Sequence, residues 1–227
     1  MRQPCPGMKI LCVSDQIDPL VYSNSIKKRF ADVDLILGAG DLPLDYLDFI
    51  VSTLNKPMLY VFGNHHVVEK PRSPFLQQED GSFHINLREE SDSHIGSKVR
   101  REEGFIVAGL GGSMRYNKGP NQFTELEMYW EIVKLIPRLF CNRLFHGRFL
   151  DILLTHAPPR GIHDKPDRCH LGFRAFLWFI KKFKPRYLVH GHIHLYDLSD
   201  IRRTRWMQTE VINAYGHYII DTNEDIS

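Results

Sequence analysis

Aspartate, asparagine and histidine recur in this chain at the ends of short apolar runs. Ser14-Asp15 follows KILCV, and Gly38-Ala39-Gly40-Asp41 follows DLIL. Gly63-Asn64-His65-His66 follows MLYVF, and Thr155-His156 follows DILL. His190-Gly191-His192-Ile193-His194 follows RYLV. Carboxylate oxygen and imidazole nitrogen suit divalent Mn, Fe, Zn or Ni. Two such cations roughly 3.5–4 Å apart activate water and neutralise phosphoryl oxygens, which is what hydrolysis of a phosphate ester requires. A ligand shared by two cations should be an anion, and Asp41 could bridge, with Gly40 allowing close backbone approach. In an extended segment His192 and His194 face the same side. In a loop they could instead turn toward different metals.

Something must hold these residues together, since they are far apart in sequence. Apolar runs bounded by turn signals read as buried strands: Lys9 to Val13, Asp34 to Leu37, Met58 to Phe62, Phe105 to Leu110, Asp151 to Leu154 and Arg186 to Val189. Helical patterns lie between them. Ser25 to Phe30 is short, and Leu44, Leu47, Ile50, Val51 and Leu54 mark a second. Thr124-x-x-Glu127 is a capping box opening a helix through about Phe140, which Pro137 could end or kink. Phe173, Phe176, Leu177, Ile180 and Phe183 form an apolar stripe before Pro185 and read as core. This alternation favours parallel βαβ units. In open α/β sheets ligands bind at the carboxyl ends of strands, so Asp15, Asp41, Asn64, His156 and His192 could converge there. Residues 67–104 read as a long polar insertion with one strand at Phe83–Leu87, and residues 204–221 as a hairpin turning near Ala214-Tyr215-Gly216.

Composition narrows the class. A chain of 227 residues is long enough for one substantial core and reads as one domain, 1–227. Its net charge of +2 calls for neither nucleic acid nor an anionic membrane. No cysteine pair has CxxC spacing, no apolar run could span a bilayer, and the first residues lack a signal-peptide core. A reducing cytoplasm fits these features.

Taken in order, Ser14-Asp15, Gly40-Asp41, Gly63-Asn64-His65, Thr155-His156 and Gly191-His192-Ile193-His194 resemble the five motifs of calcineurin-like metallophosphoesterases. Gly109-Leu110-Gly111-Gly112-Ser113 and Asn213-x-x-Gly216 are also similar to that family, and the match runs from about residue 9 to 221. The resemblance implies a four-layer α-β-β-α sandwich, two mixed β-sheets flanked by helices. It implies that Asp15 and His194 bind a first metal, that Asp41 bridges, and that Asn64, His156 and His192 bind a second. His65 would contact phosphate and protonate the leaving oxygen while a bridging hydroxide attacks phosphorus. The substrate would be a small phosphate mono- or diester.

Two departures stand out. The first motif is Asp15-Gln16-Ile17 where the family has Asp-x-His, so Ile17 cannot ligate. Asp18 or Gln16 could substitute, although Asp18 before Pro19 also reads as a turn or cap. The first metal site is then expected to be the weaker. An acid usually follows the third-motif histidine, but here it is His66, a candidate substrate contact. Arg115 is a candidate phosphate clamp, with Arg160, His163 and Lys165 weaker candidates for the pocket rim. His84, His94, His146, His170 and His217 read as surface or packed histidines. The missing ligand leaves a second reading open, a catalytically weakened scaffold for protein binding. A nuclease is a third.

Overall fold

The computed structural model describes residues 7–65, 92–197 and 200–223. The six apolar runs form β1 (Lys9–Ser14), β2 (Leu35–Gly38), β3 (Met58–Tyr60), β5 (Phe105–Leu110), β8 (Ile152–Thr155) and β9 (Tyr187–His190). Between and around them lie α1 (Ile26–Arg29), α2 (Leu44–Leu54), β4 (Val99–Glu102), β6 (Ser113–Met114), β7 (Gln122–Phe123), α3 (Glu125–His146), α4 (Arg174–Phe183), β10 (Arg203–Trp206), β11 (Thr209–Asn213) and β12 (Gly216–Asp221). One sheet has the order β12-β1-β2-β3 and the other β10-β11-β9-β8-β5-β4. Both are mixed: β12 and β10 run antiparallel to their neighbours, as does β4, and the central pairs are parallel.

Strand alternation builds three apolar layers from these two sheets. Ile10, Cys12, Leu35, Leu37, Val107, Ile152, Leu154 and Val189 point between the sheets. Their neighbours Leu11, Val13 and Ile36 face outward and pack on Ile26 of α1 and Leu47 and Ile50 of α2. On the other side Ile106, Ala108, Leu153 and Leu188 meet Ile132 and Leu135 of α3 and Phe176 and Ile180 of α4. The result is the layered α-β-β-α arrangement. It also explains why central strands read as continuous apolar runs, since both of their faces are covered.

Three local expectations need correction. Residues 204–221 do not form one hairpin. The hairpin is β10–β11, turning at Met207-Gln208, while β12 pairs with β1 in the other sheet. Period-two alternation cannot say which sheet a strand joins, and Gly216 opens β12 rather than closing a turn. Second, the polar stretch contains β4, paired with β5 through a turn at Glu103-Gly104, both at positive φ. The strand expected at Phe83–Leu87 lies outside the described residues. Third, α3 runs past Pro137 to His146, closed by Gly147 in the left-handed region. Its capping box is present as expected, and Met128, Ile132, Leu135 and Leu139 bury one face of it. That packing outweighs the one backbone donor that proline removes.

A buried histidine pair ties the end of β9 to β10. The His190 Nδ1–H donates to the Gly191 carbonyl, so its Nε2 accepts from His163 Nδ1 at 2.9 Å. The Thr204 hydroxyl then donates to His163 Nε2 at 2.8 Å. This chain works only with both imidazoles neutral. Burial lowers His163 to about 4 and pushes His190 well below its usual value. His163 is therefore packed behind the strand end rather than standing at a pocket rim.

Two expectations follow. Phe176 is fully buried, so Phe176→Ala should lower the unfolding free energy by about 3–5 kcal/mol in chemical denaturation. The unfolded chain binds protons at His163 and His190 below about pH 6.5, whereas the folded chain resists them. The contribution of this pair to the stability of chelator-treated protein should therefore be complete above that pH and be lost as pH drops toward the His163 value of about 4. His163→Gln should flatten this fall, and an equally steep loss below pH 6.5 in that variant would contradict the neutral pair.

Candidate metal centre

β1, β2, β8 and β9 end at the same edge of the sandwich, and each delivers a donor there. Asp15 follows β1, Asp41 lies just past β2, His156 follows β8, and His192 and His194 follow β9. Donor atoms of Asp41, His156 and His192 all lie within 4.8 Å of one another. Asn64 joins them, with its Oδ1 at 3.0 Å from His156 Nε2. Asp15 accepts from the His192 backbone N–H at 2.8 Å, and its other oxygen lies 3.8 Å from His194 Nε2. All six candidate ligands therefore converge.

The second ring of contacts aims them. His156 Nδ1–H donates to the Ala39 carbonyl at 2.8 Å, which leaves Nε2 facing Asn64 and Asp41 Oδ2, the latter at 3.2 Å. His192 Nε2–H donates to the Cys169 carbonyl at 2.7 Å, leaving Nδ1 to ligate. The Asn64 amide donates to the Tyr116 hydroxyl at 3.1 Å, which turns its carbonyl oxygen inward. Such outer partners fix tautomer and orientation in metal sites. Ala39, Tyr116 and Cys169 carried no sequence signal for these roles, since two of them act through backbone oxygens.

Donors that face one another this way need a cation among them. In the metal-free protein a proton serves. Burial pushes His156 down, but the charge and hydrogen bond of Asp41 outweigh it and raise His156 to about 9. Burial pushes Asp41 up, yet His156 holds it at about 2. Burial, then the His156 charge, lowers His192 to about 3. Burial also raises Asp15, against the opposing charge of His156. One imidazolium thus balances a set of oxygens and nitrogens whose chemistry fits a divalent metal.

Backbone strain and missing side chains make the room. Asp15, Asp41 and His192 have φ of 62°, 53° and 65°, a region uncommon for residues with a Cβ. A Cβ at Gly63 would collide with Asp41, and one at Gly191 with Ser14 and Asp15. These two glycines let neighbouring loops close onto the carboxylates.

The remaining candidates fall elsewhere. His65 is exposed at the rim, and its backbone N–H donates to Asp41 Oδ1 at 2.9 Å. His66 lies outside the described residues. Arg115 is not available as a clamp: its guanidinium is held by Glu127 and the Gln122 carbonyl at the start of α3. Arg160 donates to the Gly172 carbonyl. Gln16 and Ile17 are both exposed. Asp18 is spent on His217 at 2.6 Å and on the Leu20 backbone N–H, so it caps a turn. His170, read as a surface or packed residue, stands beside the centre, its ring 5.5 Å from that of His192.

Comparison with known proteins agrees with this frame. UPF0046 protein K07C11.7 of Caenorhabditis elegans is 21% identical over 201 residues, which cover 83% of this chain. The chain spans 64% of that relative's length. The crystal structure of TT1561 of Thermus thermophilus covers 96% of both chains with a TM-score of 0.58 at 15% identity. Another crystal structure, also 15% identical and covering 96% of both chains, reaches a TM-score of 0.62. Among the described residues no helix is long and apolar enough to cross a membrane. The family model for calcineurin-like phosphoesterases matches residues 8–196, and with that span the chain belongs to the calcineurin-like phosphoesterase family.

Proposed function

We propose that this protein hydrolyses a small phosphate mono- or diester at a site holding two divalent cations. The observation that carries this reading is the convergence of the Asp41, His156 and His192 donor atoms within 4.8 Å, with Asn64 beside them. Asn64, His156 and His192 would hold one cation, and Asp15 and His194 the other. Asp41, grouped with His156 and His192, would serve both. When bound, the cations supply Lewis acidity and neutralise charge on the phosphoryl oxygens.

The chain's own residues supply the rest. The Ala39 and Cys169 carbonyls hold His156 and His192 in the tautomers that ligate. Asp41 takes the His65 backbone N–H, which anchors this residue at the rim. From there the His65 imidazole would contact the phosphate and give its proton to the departing oxygen, a general-acid role worth about 10²–10⁴ in rate. Mn²⁺-loaded protein should hydrolyse p-nitrophenyl phosphate or its bis ester. His65→Ala should lower kcat by about 10²–10⁴ while metal content and thermal stability stay unchanged.

One observation favours a second reading, a catalytically weakened scaffold. Ile17 cannot ligate, and Asp18, the next acid along the chain, is committed to His217. The Asp15–His194 side then has few protein donors, and His194 is partly exposed, with 42% of its side chain open to solvent. Calorimetric titration should therefore resolve one tighter and one weaker Mn²⁺ site, and Asp15→Asn should remove the weaker one. Two equally tight sites would contradict the unequal pair. Protein that stays inactive on both esters after Mn²⁺ loading would move the reading to a scaffold.

A further inference from the structure

Helix α3 has two apolar faces, and only one is used by the core. Met128, Ile132, Leu135 and Leu139 pack inward. On the opposite side Leu126, Trp130, Val133, Pro137, Phe140 and Leu144 lie open to solvent in the described structure. Leu126 is 74% exposed, Trp130 68% and Leu144 78%. Single exposed apolar residues are ordinary; a stripe along a whole helix is not.

The spacing along this stripe alternates four and three residues, the repeat of a coiled-coil seam. It also reads the same from either end, centred on Leu135. A seam with that symmetry fits an antiparallel copy of itself. Leu126 of one copy then meets Leu144 of the other, Trp130 meets Phe140, and Val133 meets Pro137. This is an isologous contact, the type that closes a two-fold dimer.

Charge points the same way. Glu125, Glu127 and Glu131 lie in the first half of α3, and Arg138 and Arg143 in the second. Glu127 is paired with Arg115 and Glu131 with Lys134 within the chain, so the first half keeps the charge of Glu125 and the second those of Arg138 and Arg143. Antiparallel pairing sets these opposite charges against each other, whereas parallel pairing sets like against like. Lys134, near the centre, already carries its own counter-ion in Glu131 at 2.7 Å. Size is adequate as well. The stripe offers roughly 700 Å² of apolar surface per chain, close to the ~800 Å² per partner of a standard stable interface.

We propose that the outer face of α3 is an interaction surface for a second copy of this chain, paired antiparallel along the Leu126–Leu144 seam. The surface is separate from the strand-end metal centre, so dimerisation and metal binding can be tested independently. Light scattering with sedimentation velocity over a broad dilution series should give twice the 26.5 kDa of the chain. Leu126→Glu should raise the dimer Kd at least about tenfold with an unchanged far-UV spectrum. Adding Leu144→Lys should restore dimerisation, because the two positions face each other only in the antiparallel pair. Should Leu126→Glu fail to fold, Trp130→Gln offers the same weakening without a buried charge. The proposal is overturned if the wild-type chain is monomeric throughout. It is equally overturned if both single variants stay fully dimeric or the charge pair gives no rescue. A monomer that cosediments with phosphatidylcholine–phosphatidylserine vesicles through the same residues would assign the stripe to a lipid surface and also overturn it.

Discussion

The contact on which the site depends is the approach of two oxygens to one ring nitrogen. Asn64 Oδ1 and Asp41 Oδ2 both face His156 Nε2, at 3.0 and 3.2 Å. Acceptors do not gather in a buried place without a positive charge among them. His156 is completely buried, and its Nδ1 is already occupied by the Ala39 carbonyl. The ring cannot rotate away to relieve the crowding. A proton or a metal ion must therefore sit at that nitrogen, and either one draws the loops after β2, β3 and β8 together.

The sandwich makes this contact possible by bringing the carboxyl ends of its parallel strands to one edge. Asp41 and His156 follow strands of different sheets, yet their side chains meet. The same junction is reinforced by Asp15, whose carboxylate accepts the His192 backbone N–H across the two sheets. Backbone in the left-handed region at Asp15, Asp41 and His192 is the local cost of this convergence. The apolar layers on either side of both sheets hold it in place.

The missing first-motif histidine reads differently once the fold is known. Asp18 was a candidate replacement ligand, but it pairs with His217 on β12 and caps the turn that leads into α1. The departure at Ile17 is thus not repaired by Asp18. It leaves the Asp15–His194 side thinner in donors than the Asn64–His156–His192 side. The candidate ligands are unequally exposed: Asp15, Asn64, His156 and His192 have buried side chains, whereas 42% of the His194 side chain is open to solvent.

The central strands were legible from the residues alone, because both of their faces are buried and apolar runs are their direct record. The clusters of Asp, Asn and His that trail these runs were legible too, whereas their division into metal ligands came only from the family resemblance. Sequence did not reveal that Arg115 is held by Glu127, because a guanidinium that folds against a carboxylate looks the same along the chain as one that folds against a phosphate. Nor did it place β12: alternation in Tyr218-Ile219-Ile220 marks a strand but not its partner, and only β1 completing its hydrogen bonds decides the sheet. The carbonyls of Ala39 and Cys169 were invisible for a simpler reason. Every residue has a carbonyl, and only folding selects the ones that meet a histidine.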